Sequence, residues 1–137
     1  MRTEVKLSKR LERIASFVQP GSRVADLGTD HGYVPIWLVQ KGVCPSALAM
    51  DVRKGPLERA EEHVEEVGLS GKIELRLSDG LAKLKAGEAD TVVIAGMGGK
   101  LTCRILEQGR HVWENWSEGK ERLILSPQSE QDEVRHF

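Results

Sequence analysis

Asp26, Gly28, Thr29, Asp30, His31 and Gly32 crowd into seven positions of one stretch, VADLGTDHGYVP, residues 24–35. The stretch begins as a buried strand and then supplies two carboxylates, an imidazole and two glycines. Three further segments repeat the theme: MDVRKG (50–55), LSDG (77–80) and AGMGG (95–99) each follow an apolar run with acids or glycines. Carboxylates at such ends accept hydrogen bonds from hydroxyls and amines, and glycines let a ligand approach the backbone closely.

The elements around these segments read as alternating strands and helices. Leu7, Leu11, Ile14, Ala15 and Val18 keep helical spacing up to Pro20-Gly21. Strands are predicted at 22–27, SALAMDV (46–52), KIELRLSDG (72–80), DTVVIAGMGG (90–99) and ERLILSPQ (121–128). Glu74 and Arg76 give the third strand a charged face, as at a sheet edge. Helices are predicted from Tyr33, over GPLERAEEHVEEVGLS (55–70), over KLTCRILEQG (100–109), and in SEQDEVRHF (129–137). Pro35 and Pro56 suit first turns, and Gly68 and Gly109 suit stops. The order is one helix, then strand and helix five times. Apolar strands alternating with amphipathic helices make a parallel α/β sheet covered on both faces. Ligands bind such sheets beyond the carboxyl ends of the strands, where all four acid- or glycine-rich segments lie.

Composition narrows the partners. The 137 residues carry a formal net charge of −1, so any nucleic-acid contact rests on a local patch. The best patch is Lys6, Lys9, Arg10 and Arg13; Lys6, Arg10 and Arg13 share a helix face, which reads equally as solvated surface. Cys44 and Cys103 lack metal-site or CxxC spacing and read as free core thiols of a reducing, cytoplasmic compartment. Trp113 and Trp116 read as cover for the sheet. No membrane span, signal peptide or metal site is expected.

The glycines exclude two phosphate-binding readings. Gly28-x-x-x-Gly32 is not the GxGxxG of dinucleotide sites, which counts against a nicotinamide oxidoreductase. AGMGGKLT holds Ile94 and Leu101 where a phosphate loop needs Gly and Ser or Thr. A ligand with a ribose diol, a cationic amine and an adenine suits the acids better. Asp51 stands where an acid accepts both ribose hydroxyls. Asp79 can accept from an adenine amino group, although SDG is also an ordinary turn. Asp26 and the first turn can face a zwitterionic tail. S-adenosylmethionine has all three parts.

LSKRLERIASFVQPGSRVADLGTDHGYVP, LAMDVRKGPLERAEEHVEEVGL, DTVVIAGMGGKL and LILSPQ, in that order along nearly the whole chain, resemble the bacterial tRNA (adenine-22-N1)-methyltransferase family. The resemblance implies a single Rossmann-like class I methyltransferase domain over 1–137, with strand order 3-2-1-4-5 and helices on both faces. It implies S-adenosylmethionine held by Asp26, Gly28, Thr29, His31, Gly32, Asp51, Val52, Asp79, Gly80, Ala95, Gly96, Met97 and Gly98. The substrate it implies is tRNA, met by Lys6, Lys9, Arg10, Arg13 and Gln128, with Asp30 as the catalytic carboxylate, stabilising the developing charge or accepting a proton. Asp30 can also cap the following helix, and Gly96 to Gly99 can be only a tight connection. Where the family has Gln-Pro-Asn, this chain has Ser126-Pro127-Gln128, which makes Gln128 the amide candidate. The family fold continues with two more strands and a helical tail linked to tRNA. The expectation is therefore a domain cut short, holding cofactor with little activity, and self-associating through an open fifth-strand edge. A methyltransferase with another substrate is the alternative.

Overall fold

The computed structural model describes residues 5–28, 30–85, 87–114, 122–127 and 135–136. α1 (Lys9–Ala15) opens at Ser8, whose hydroxyl accepts the Leu11 backbone N–H at 3.2 Å. β1 (Val24–Leu27) leads through a 3-10 turn, Asp30–Gly32, into α2 (Tyr33–Gln40). β2 (Ala47–Asp51) is followed by α3 (Lys54–Glu66), and β3 (Ile73–Leu77) by a non-helical crossover to β4 (Thr91–Met97). α4 (Gly99–Gln108), the short α5 (Arg110–Trp113), β5 (Arg122–Pro127) and β6 (Arg135–His136) complete the order.

The strands form one sheet in the order β3-β2-β1-β4-β5-β6. The first five run parallel, as the apolar strand pattern predicts. Side chains alternate across it. Val24, Ala49, Ile73, Val93 and Ile124 meet α1, α2 and α3 on one face. Ala25, Leu27, Met50, Val92, Ile94 and Leu125 meet Ile105 of α4, Val112 of α5 and the crossover's Leu81 and Leu84 on the other. Each large apolar side chain so buried contributes about 1.5–3 kcal/mol.

Four expectations are corrected. Among the described residues the β3–β4 connection carries no helix: the Ser78 hydroxyl donates to the Gly80 carbonyl at 2.8 Å and its oxygen accepts the Lys83 N–H at 3.1 Å. That local bonding folds the chain into turns, and buried Leu81 and Leu84 fill the face a helix would cover. The helix expected over 129–137 is interrupted, because Arg135 and His136 pair antiparallel with Leu125 and Ile124; 128–134 lie outside the described residues. The β5 edge expected to lie open is therefore paired at those two positions, which supplies its backbone groups with partners. Finally, Cys44 is buried but Cys103 is exposed, on the outer side of α4. Burial, with Asp90 adding its charge, pushes the Cys44 thiol up to about 11.

At the other edge, the Arg76 guanidinium grips both carboxylate oxygens of Glu88 at 2.7 Å and bonds Glu74 at 2.6 Å. This bidentate clamp ties β3 to the crossover and puts charge on the sheet edge, as the third strand's sequence predicts. Among the described residues no helix is long and apolar enough to cross a membrane.

Candidate cofactor and acceptor site

The parallel register brings the carboxyl ends of β1, β2, β3 and β4 to one rim. Asp26 is 4% exposed on β1, opposite Ala49 and Val93. Asp51, the last residue of β2, is 2% exposed. One of its oxygens, Oδ1, accepts the Arg53 backbone N–H at 2.8 Å and the Arg53 Nε–H at 3.3 Å. The other, Oδ2, is buried with no hydrogen-bond partner among the described residues. A buried carboxylate oxygen left unbonded costs on the order of 1–3 kcal/mol, so this one is built to meet a donor that comes from outside.

Beside it lies a cavity of about 120 Å³ lined by Leu27, Val52, Asp79, Gly80, Leu101, Arg104, Ile105 and Gln108. Val52 and Leu101, 57% and 45% exposed, both border this opening. Gly80 has φ +58°, and a Cβ there would stand 3.0 Å from Gln108 Oε1. Gly80 thus keeps the floor of the cavity open as well as making the turn. Larger hollows lie elsewhere: about 400 Å³ at the amino ends of β1 to β3, and about 420 Å³ beside α1. Neither contains a carboxyl-end residue, and position in the fold outweighs volume in choosing the site.

The first turn is held from several sides. Gly28 has φ +78°, and its N–H donates to the Met50 carbonyl at 2.8 Å. Asp30 begins the 3-10 turn, and the N-cap position of α2 is Gly32, at φ +70°, two residues further on. His31 has φ +60°, a left-handed conformation that costs a residue with a Cβ roughly 1 kcal/mol. Its ring stacks on Tyr33 with centroids 5.3 Å apart, and Tyr33 meets His63 of α3 edge-on at 5.4 Å. Gly32 faces Ala60, whose Cβ would lie 3.5 Å from an added one.

The fourth rim segment is a bulged strand end. The β4–β5 register shifts between Ala95 and Met97, leaving Gly96 as the extra residue. Gly98, exposed and with open space where a Cβ would point, caps α4. Its carbonyl accepts both the backbone N–H (3.0 Å) and the hydroxyl (2.9 Å) of Thr102.

Of the predicted site residues, Asp26, Gly28, Asp30, His31, Gly32, Asp51, Val52, Asp79, Gly80, Ala95, Gly96, Met97 and Gly98 come from strand ends on this rim. Thr29 and Gln128 lie outside the described residues, as does Trp116. The basic run is not brought there. Lys6 shares a groove with Trp37 and Lys41 at the far end of α2, and Lys9, Arg10 and Arg13 follow it along α1 without lining the cavity. Sequence reading missed Leu101, Arg104, Ile105 and Gln108, a single stripe of α4 at helical spacing, and it missed His63. The stripe was visible as periodicity; that it faces the β3 turn was not. Among the described residues no three His, Cys, Asp or Glu gather as a metal site.

A parallel 3-2-1-4-5 sheet with acids and glycines at the ends of its first four strands is the Rossmann-like fold of class I methyltransferases. The chain belongs to the Methyltransferase domain family, which matches residues 7–137. It is 42% identical over 134 residues to the tRNA (adenine(22)-N(1))-methyltransferase of Bacillus subtilis (strain 168), covering 98% of this chain and 55% of that protein. The crystal structure of the B. subtilis m1A22 tRNA methyltransferase TrmK superposes with TM-score 0.82 at 44% identity, over 90% of this chain and 51% of that one. Streptococcus pneumoniae Sp1610 in complex with S-adenosyl-L-methionine superposes with TM-score 0.83 at 45% identity, over 91% and 57%. The chain thus spans about half the length of these relatives.

Proposed function

We propose that this chain binds S-adenosylmethionine at the carboxyl-end rim and serves methylation of N1 of adenine 22 in tRNA. The observation that carries the cofactor reading is the unbonded, buried Oδ2 of Asp51. It supports an acceptor for a ribose hydroxyl, beside a cavity whose apolar walls, Val52, Leu101 and Ile105, suit the faces of an adenine ring and whose Asp79 suits its amino group. The residues present therefore fit the group. The tRNA reading rests on likeness to the B. subtilis relative.

S-adenosylmethionine, when bound, would supply a sulfonium methyl carbon for in-line attack by an acceptor nitrogen, the sulfur leaving as the thioether of S-adenosylhomocysteine. The chain's own part is positioning and charge. Asp51 fixes the ribose; Asp26 and the turn from Gly28 to Gly32 orient the amino-acid end. Asp30, at the head of the 3-10 turn, is the carboxylate assigned to the acceptor base. Alkylation at N1 makes an adenine cationic, and a carboxylate stabilises that charge or accepts the amino proton. A paired adenine hides N1, so the base leaves its stem before it reacts. The basic residues of α1 offer phosphate contacts away from the cavity, which suits an RNA much larger than its target base. A tRNA substrate fits a cytoplasmic protein.

The test is transfer of labelled methyl to a tRNA transcript carrying adenine 22, with a guanine-22 transcript as control. Label at position 22 of the first alone, at a low level, is expected. Equal labelling of both, or calorimetry showing no binding of S-adenosylhomocysteine, overturns the reading.

A further inference from the structure

His31 sits at φ +60° without being glycine, and the next residue, Gly32, is also left-handed at φ +70°. A backbone in that state returns to ordinary conformations unless something outside the turn restrains it. The restraint comes from α3. His63 Nδ1 lies 2.8 Å from the His31 carbonyl oxygen. A carbonyl only accepts, so Nδ1 carries the proton and donates it. The Tyr33 ring, stacked on His31 and edge-on to His63, closes the same three-residue contact.

We infer that His63 is a positioning residue for the site: its Nδ1–H holds the His31 carbonyl, and through it the left-handed turn that presents Gly28 to Gly32. The inference rests on the cofactor reading above, for that reading puts the turn against the amino-acid end of S-adenosylmethionine. His63 itself does not line the cavity.

Two variants separate positioning from mere packing. His63→Asn keeps a donor close to where Nδ1 stands; His63→Leu keeps bulk and helix preference but no donor. If His63 only packs, affinity follows stability, and Leu, the better helix former, does at least as well as Asn. Positioning reverses the order. S-adenosylhomocysteine affinity by calorimetry is expected within about threefold of wild type for Asn and more than tenfold weaker for Leu, about 1.4 kcal/mol, although Leu melts no lower. Equal affinities for wild type and His63→Leu overturn the inference. Absence of binding by wild type sinks the cofactor reading instead. A measurement on the unaltered, ligand-free chain stands apart from both: nitrogen-15 NMR above pH 8 is expected to show His63 as the Nδ1–H tautomer, and the Nε2–H tautomer contradicts the hold.

Discussion

Asp51 accepts the Arg53 backbone N–H at 2.8 Å through one carboxylate oxygen and keeps the other, equally buried, unbonded. The bonded oxygen fixes the rotamer, and the fixed rotamer aims the free one. The end of β2 is therefore set before any ligand arrives, and binding need not spend free energy on ordering it.

Asp51→Ala removes the aimed acceptor. S-adenosylhomocysteine affinity, measured by calorimetry, is expected to fall more than tenfold, since tenfold is about 1.4 kcal/mol. Asp51→Asn keeps the shape but presents a neutral amide, and is expected to fall between Ala and wild type. Unchanged affinity in both removes Asp51 from the site.

Asp30 is assigned to the acceptor base, not to the cofactor. Asp30→Ala is expected to leave S-adenosylhomocysteine affinity within a few-fold while slowing single-turnover methyl transfer to tRNA by 10²-fold or more, the usual scale for a lost charge-stabilising or proton-accepting group. Transfer at the wild-type rate with saturating tRNA would leave Asp30 a turn residue only.

Acid stability should report the Arg76–Glu88 clamp. The hydrogen bonds from Arg76 hold the Glu88 carboxyl down at about 2, against an ordinary 4.5. A depressed carboxyl stabilises the fold fully above its unfolded value and loses that contribution as pH falls toward the folded one. Both partners are partly exposed, so roughly 1–2 kcal/mol is the expected scale after screening. Urea unfolding should show wild type more stable than Glu88→Gln at pH 7, with the gap closing between pH 4.5 and pH 2. A gap independent of pH would mean that the clamp contributes through packing rather than charge.

Gly109, between α4 and α5, has no room for a side chain. An added Cβ would lie 2.6 Å from Leu81 Cδ1 and 2.9 Å from the Trp113 ring, whose Nε1–H is anchored to the Leu106 carbonyl at 2.8 Å. Gly109→Ala is expected to destabilise by about 1–3 kcal/mol, the range for overpacking, read as a lower urea midpoint with unchanged slope.

Much of this was legible in the chain itself. Apolar runs such as ALAMD and TVVIA specify buried parallel strands, and the acid that breaks each pattern, Asp51 after ALAM or Asp79 after LRLS, marks the rim. Local rules gave the stops at Gly68 and Gly109 and the charged edge at Glu74 and Arg76. What stayed hidden depends on contacts remote in sequence. His63 lies 32 residues from His31, and nothing in the spacing of α3 says that one of its residues reaches a carbonyl in another turn. The Leu101–Arg104–Gln108 stripe was a helix face without a neighbour until the crossover folded beneath it. The missing helix after β3 is a case of Ser78 bonding locally and tucking Leu81 and Leu84 under turns, where the alternating order of strands and helices implied a helix.

The most direct test of the central claim is calorimetry of the unaltered chain against S-adenosylhomocysteine and, separately, NAD. One saturable site for S-adenosylhomocysteine and no heat of binding for NAD are expected. Saturable binding of NAD, or none of S-adenosylhomocysteine at a protein concentration where the chain is folded, would contradict the claim.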